Sequence, residues 1–240
     1  MTDITYSANY RPLTGKPVSE HIETIFQFRL KDPGSAITHF IGFLAAILGT
    51  PVLLVHSASN GVTTLDMIGL SIFLISMILL YGASTAYHSF NISPSANKIL
   101  KKIDHMMIFL LIAGTYTPIC LSAIGGKTGI FLLALVYGIA VVGIVIKAFW
   151  IMCPKWFSSV IYIGMGWVCL LALPQIIASL SRPAFLWLLF GGILYTIGGV
   201  LYALKLKVFN SLHKNFGSHE IFHLFVMAGS FCHYMTMICL

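Results

Sequence analysis

The feature that most constrains this chain is a set of seven apolar stretches, at residues 36–56, 67–89, 103–124, 129–149, 158–180, 184–206 and 219–239. Each holds about 20 residues, the length with which an α-helix crosses the hydrocarbon core of a bilayer. Inside that core every backbone N–H and C=O must be bonded within the protein, which a helix achieves by itself. The expected fold class is therefore all-α integral membrane, a seven-transmembrane-helix bundle. With 58% hydrophobic and 9% charged residues in 240, a soluble domain is excluded.

The connections are short and carry turn chemistry, at Ser59-Asn60-Gly61, Gly125-Gly126-Lys127 and Ser181-Arg182-Pro183, so consecutive helices are expected to lie antiparallel as neighbours. Residues 36–240 then form one transmembrane domain, preceded by a polar segment 1–35. Within that segment Ile22, Ile25, Phe26 and Leu30 recur at helical spacing and suggest an interfacial helix, with a frayed polar tail as the alternative. The segment is too polar for a secretory signal peptide, so the first span is expected to be a retained anchor. Lysine and arginine fix the orientation, since they stay on the cytoplasmic side. An inside N-terminus leaves only Lys127 and Arg182 of the 14 basic residues outside, with the C-terminus also outside. The expected location is the cell (inner or plasma) membrane, multi-pass.

The net charge of +7 is then a topology signal with some attraction to anionic lipid. No basic run is interleaved with stacking aromatics, so nucleic acid is not an expected partner, whereas membrane lipid is. The five cysteines, Cys120, Cys153, Cys169, Cys232 and Cys239, contain no C-x-x-C pair and read as small core residues rather than a disulfide framework. Pro51, Pro118 and Pro174 are expected to kink their helices, and the glycine pairs 191–192 and 198–199 to allow close helix contact.

Ionisable groups are costly inside a membrane and mark function more often than packing. On this topology Ser84 and His88, four apart on one helical face, end span two at the cytoplasmic side. Asp104 opens span three there, in its first turn, and His219 and His223, again four apart, open span seven. Imidazole suits zinc, and three protein ligands with an open fourth position is the catalytic pattern, so His88, His219 and His223 are the candidate ligands of a Zn2+ ion. Asp104 is the candidate general base, with helix-terminus capping as its alternative. Ser84 is the candidate orienting hydroxyl, with backbone hydrogen bonding as the alternative. His219-Glu220-Ile221-Phe222-His223 also matches the H-E-x-x-H pattern in which the Glu is the base of soluble metalloproteases; here stabilisation of the helix N-terminus competes with that role. His39 lies at a similar depth, either behind the ligands or at the interface. His233 lies about 15 Å farther along span seven than His223 and cannot reach the same ion. His105 and His213 receive no role.

These residues carry a resemblance. Ser84-x-x-x-His88, Lys101-Lys102-Ile103-Asp104-His105, Ala113-Gly114-Thr115-Tyr116-Thr117-Pro118 and Ser218 to His223 extended to His233 are similar to the motifs of the hemolysin III family, within the progestin and adiponectin receptor superfamily. The family's opening motif of an acidic residue, Asn and His is matched in part, by Asp32, Ser35 and His39. The resemblance spans all seven helices. It implies a zinc ion held by His88, His219 and His223, with Asp104 and Ser84 beside its water. It also implies the activities associated with the superfamily, namely ceramide-like lipid amide hydrolysis and membrane-lipid homeostasis. Three readings follow: a zinc-dependent hydrolase of a lipid amide or ester, a lipid sensor or receptor whose metal is structural, and a pore-forming cytolysin. The last has least support, since no span carries a polar stripe from end to end.

Overall fold

A computed structural model describes residues 30–204 and 217–240. The interfacial helix expected over residues 22–30 lies almost wholly outside these, as does His213. Seven helices among the described residues are long and apolar enough to cross a membrane. They are α1 (Pro33–Ser59), α2 (Thr64–Ser89), α3 (Pro94–Pro118, continued by a π turn Ile119–Ile124), α4 (Gly126–Phe149), α5 (Lys155–Gly166, a 3-10 stretch Trp167–Ala172 and Leu173–Ser179), α6 (Arg182–Leu204) and α7 (Ser218–Ile238).

Each helix packs against the next in sequence, and α7 returns against α1, closing a ring. One end of the bundle, called here the site end, carries the start of α1, α3, α5 and α7 and the finish of α2, α4 and α6. The outward surface is apolar, with Leu48, Val55, Phe149 and Leu171 all well exposed, as helices facing hydrocarbon require. Inside, Phe73, Leu74 and Tyr81 of α2 pack with Leu53 of α1, Leu111 of α3 and Met237 of α7, while Phe109 of α3 packs with Val136 of α4 and Met165 of α5. Gly143 of α4 lies directly against the Phe109 ring, so α3 and α4 approach more closely than any side chain there would permit.

Local chemistry explains the departures from the expected spans. α3 starts at Pro94, well ahead of the apolar stretch, because Ser93 caps it by accepting a hydrogen bond from the Ala96 N–H at 3.2 Å and proline is pre-shaped for a first turn. Lys98, Lys101 and Lys102 ride on this extra length at the rim. α1 stays helical through Pro51, whereas α3 passes into its π turn directly after Pro118 and a new α segment of α5 begins beside Pro174. Of the paired glycines, Gly191, Gly198 and Gly199 abut His233, Phe225 and Ile163, while Gly192 borders open space. The five cysteines are all free. Lys147 is buried, its Nζ donating to Ser158 Oγ at 2.5 Å and to Cys153 Sγ at 3.1 Å.

Candidate metal centre

The site is assembled at one end from three helix termini. Ser84 and His88 are buried on one face of the last turns of α2. α7 begins at Ser218, so His219 and His223 fall in its first two turns on the face turned toward α2. The Nε2 atoms of His88 and His219 stand 3.2 Å apart, and one ligand atom from each of His88, His219 and His223 lies within 4.8 Å of the others. In tetrahedral zinc geometry, nitrogens at 2.1 Å from the ion are separated by about 3.4 Å, so this spacing already matches a pair of ligands.

The outer nitrogens support the same reading. His88 Nδ1 lies 3.0 Å from Asp32 Oδ2, and His223 Nδ1 lies 3.3 Å from Thr38 Oγ1. A partner on Nδ1 sets the tautomer that leaves Nε2 free to ligate, which is how ligand histidines are held in metal sites. His219 Nδ1 makes no such bond among the described residues. Three imidazoles with converging nitrogens, those of His88 and His223 buried and that of His219 half-buried, fit a zinc-type ion and leave a fourth position open.

Asp104 is buried but stands apart from the three ligands. The expectation that it opens its helix is wrong: with α3 starting at Pro94, Asp104 is about three turns inside. A helix-terminal charge effect fades within the first turn, which removes the capping alternative. His105 Nδ1 touches Asp104 Oδ2 at 3.1 Å, and Ser84 Oγ stands next to the same carboxylate without completing an aligned hydrogen bond. Glu220 is occupied on both oxygens: Oε2 accepts from the Gly217 N–H at 2.7 Å and Oε1 from Ser35 Oγ at 2.6 Å. That is a helix cap joined to α1, and it matches the N-terminus reading of this residue. His39 is buried, stacked on His223 with ring centroids 3.5 Å apart, and neither of its nitrogens is bonded among the described residues.

At the rim, Lys31 donates from Nζ to the Tyr87 carbonyl at 3.1 Å and lies over the Tyr87 ring at 3.4 Å, stapling the entry of α1 to the end of α2. Partial burial lowers its pKa below the ordinary lysine value, with Asp32 opposing the shift.

The centre opens into a cavity of about 290 Å³. His39, Ser84, Asp104, His219 and His223 line its site end; from there it runs between α3, α5, α6 and α7 along apolar residues such as Leu111 and Val226 to Ile176 and Phe185. Asp32, Thr38 and His105 are the participants that motif reading did not assign. Asp32 is marked in sequence only by its place in the opening motif with His39, which assigns it no partner, and Thr38 is not marked at all; the approach of α1 to α2 and α7 reveals their contacts with His88 and His223.

Comparison with known proteins agrees with this architecture. A family described as "Haemolysin-III related" matches residues 28–234, essentially the whole bundle. The chain belongs to the haemolysin III family. This haemolysin III protein is 35% identical over 213 residues to "Hemolysin-3" of Bacillus cereus, covering 89% of this chain and 93% of that one. It is 39% identical over 204 residues to the "Hemolysin-3 homolog" of Bacillus subtilis (strain 168), covering 85% and 91%. A more distant relative, the "Adiponectin receptor protein" of Drosophila melanogaster, is 27% identical over 223 residues, which is 85% of this chain and 49% of that protein. The likeness to an adiponectin receptor places the haemolysin III protein within the wider progestin and adiponectin receptor superfamily.

Proposed function

We propose that this haemolysin III protein is a zinc-dependent hydrolase of a lipid amide or ester, with its site end at the cytoplasmic face of the cell membrane. The observation that carries the reading is the joining of two environments in one space. Two of three converging imidazoles, those of His219 and His223, line one end of a long apolar cavity together with a buried carboxylate and a hydroxyl, and His88 stands against them. A bound zinc ion supplies Lewis acidity toward the scissile carbonyl. The chain's own residues supply the remainder. The cavity takes the acyl chain out of water and aligns its carbonyl with the site end. Asp104 accepts a proton from the attacking water and returns it to the departing amine or alcohol as the C–N or C–O bond breaks, with His105 against its carboxylate, and Ser84 orients either that water or the carboxylate. Asp32 and Thr38 keep His88 and His223 in their ligating orientation. The placement of the site end follows the distribution of lysine and arginine across the loops.

The test is zinc content by mass spectrometry together with fatty acid release from ceramides and glycerolipids by protein in nanodiscs. His88→Ala is expected to lose metal and turnover together, and Asp104→Asn to keep metal and lose turnover by at least about 100-fold. Zinc retained with no lipid cleaved under any condition defeats the enzyme reading.

A second reading rests on the His88–His219 contact, which bridges α2 and α7. There the metal only ties the helices together in a lipid sensor. It requires that Asp104→Asn leave function intact and that His219→Ala lower thermal stability strongly.

A further inference from the structure

Midway through the bundle the cavity meets a second polar group that the metal chemistry does not use. His233 of α7 lines the cavity, is 5% exposed, and makes no hydrogen bond among the described residues; its Nδ1 is fully enclosed, which leaves Nε2 as the ring nitrogen that a ligand in the cavity can meet. It lies ten residues beyond His223 on the face that also carries Phe222 and Val226, all of them lining residues. The Tyr195 ring packs against it with centroids 5.0 Å apart, and Gly191 of α6 leaves space for the imidazole that a side chain would occupy.

The neighbouring hydroxyls are already committed. Tyr81 OH donates to Ser230 Oγ at 2.7 Å, and Tyr195 OH shares a 2.8 Å bond with the same oxygen. A neutral imidazole carries one donor and one acceptor, so with Nδ1 enclosed the Nε2 of His233 brings one unpaired hydrogen-bonding atom to this level of the cavity. An unpaired polar group at such depth is costly, and apolar residues surround it on the cavity wall.

We infer that His233 is a binding subsite for an oxygen function, a hydroxyl first of all, in the middle of a lipid acyl chain whose head lies at the His219 and His223 end. The inference rests on the reading of the cavity as an acyl-chain site. A hydroxyl both donates and accepts, so it pairs with either tautomer of the ring. Distance sets where on the chain it must be. His223 and His233 are about 15 Å apart along α7, and an extended chain advances about 1.25 Å per methylene given its 1.5 Å carbon bonds. The oxygen therefore falls near carbons ten to thirteen, counted from the carbonyl.

The experiment is displacement of a fluorescent fatty acid from the full chain in nanodiscs by stearate, 12-hydroxystearate and 2-hydroxystearate. The wild-type protein is expected to favour 12-hydroxystearate over stearate by about three- to ten-fold, the net worth of one buried hydrogen bond, and to show no such gain for 2-hydroxystearate. His233→Phe is expected to remove the preference while binding stearate at least as well; His233→Gln, which keeps a donor and an acceptor, retains part of it. Equal displacement by stearate and 12-hydroxystearate in the wild type overturns the inference, as does a preference that survives in His233→Phe. Failure of every fatty acid to displace the probe overturns both the subsite and the acyl-chain reading. Hydrolysis is measured separately on the same samples, so loss of the enzyme reading alone leaves the binding result standing.

Discussion

Removing the Asp32 carboxylate isolates the contribution of second-layer support to the metal centre. Asp32 holds His88 Nδ1 at 3.0 Å, and although it is the residue preceding α1, its side chain makes no capping bond. Asp32→Ala therefore costs the helix little. Its other partner, Lys31 Nζ, is 3.9 Å away and contributes a weak exposed pair at most. What is lost is the orientation and basicity of one ligand. Losing such a partner weakens metal binding by about 10- to 100-fold, or about 1.4–2.7 kcal/mol. The Asp32 side chain is 44% exposed, so water screens and partly replaces it, which puts the expectation at the lower end, about tenfold. The assay is competition for zinc between the purified protein and a fluorescent chelator, with His88→Ala as the reference for loss of a ligand. An affinity within twofold of wild type refutes the reasoning. So does a fall as large as that of His88→Ala, because Asp32 would then be acting as a ligand itself.

Three further outcomes follow from the packing and polar contacts. Glu220→Ala removes the bonds to Gly217 N–H and Ser35 Oγ and is expected to lower stability by about 1–2 kcal/mol. Its zinc content and any lipid turnover should remain, and loss of turnover in a folded, zinc-loaded variant transfers the base role to Glu220. In α4, Gly143→Val drives a side chain into the Phe109 ring and is expected to cost about 2 kcal/mol or more, while Gly138→Ala, with nothing within 4 Å, stabilises by a few tenths up to about 1 kcal/mol. Thermal unfolding in nanodiscs separates the two, and equal midpoints contradict the close α3–α4 approach. Lys147→Met replaces a buried amine by an apolar chain of similar volume while Cys153 Sγ and Ser158 Oγ still face each other at 3.3 Å, so it is expected to be neutral or stabilising. Lys147→Ala opens a void and costs about 2 kcal/mol; equal losses in both variants show that the amine itself is required.

The number of the helices, the antiparallel order of neighbours and the same-face pairs Ser84/His88 and His219/His223 were all legible from residue order. Apolar length and helical spacing are local properties, and the membrane makes them decisive because it admits no other backbone solution. Membership in the haemolysin III family was legible for the same reason, since its motifs lie within single helices. Where a polar residue sits along its own helix was less secure. Asp104 moved three turns inward because a Ser-Pro cap, not the apolar stretch, starts α3. The attachment of Asp32 to His88, the engagement of both Glu220 oxygens by α7 and α1, the stacking of His39 on His223 and the cavity leading to His233 arise only from how the helices rotate and approach one another. Residue order determined which groups each helix offers to the interior. Tertiary packing decided which of those groups meet, because contacts between helices far apart in sequence depend on rotations and close approaches that no single helix encodes.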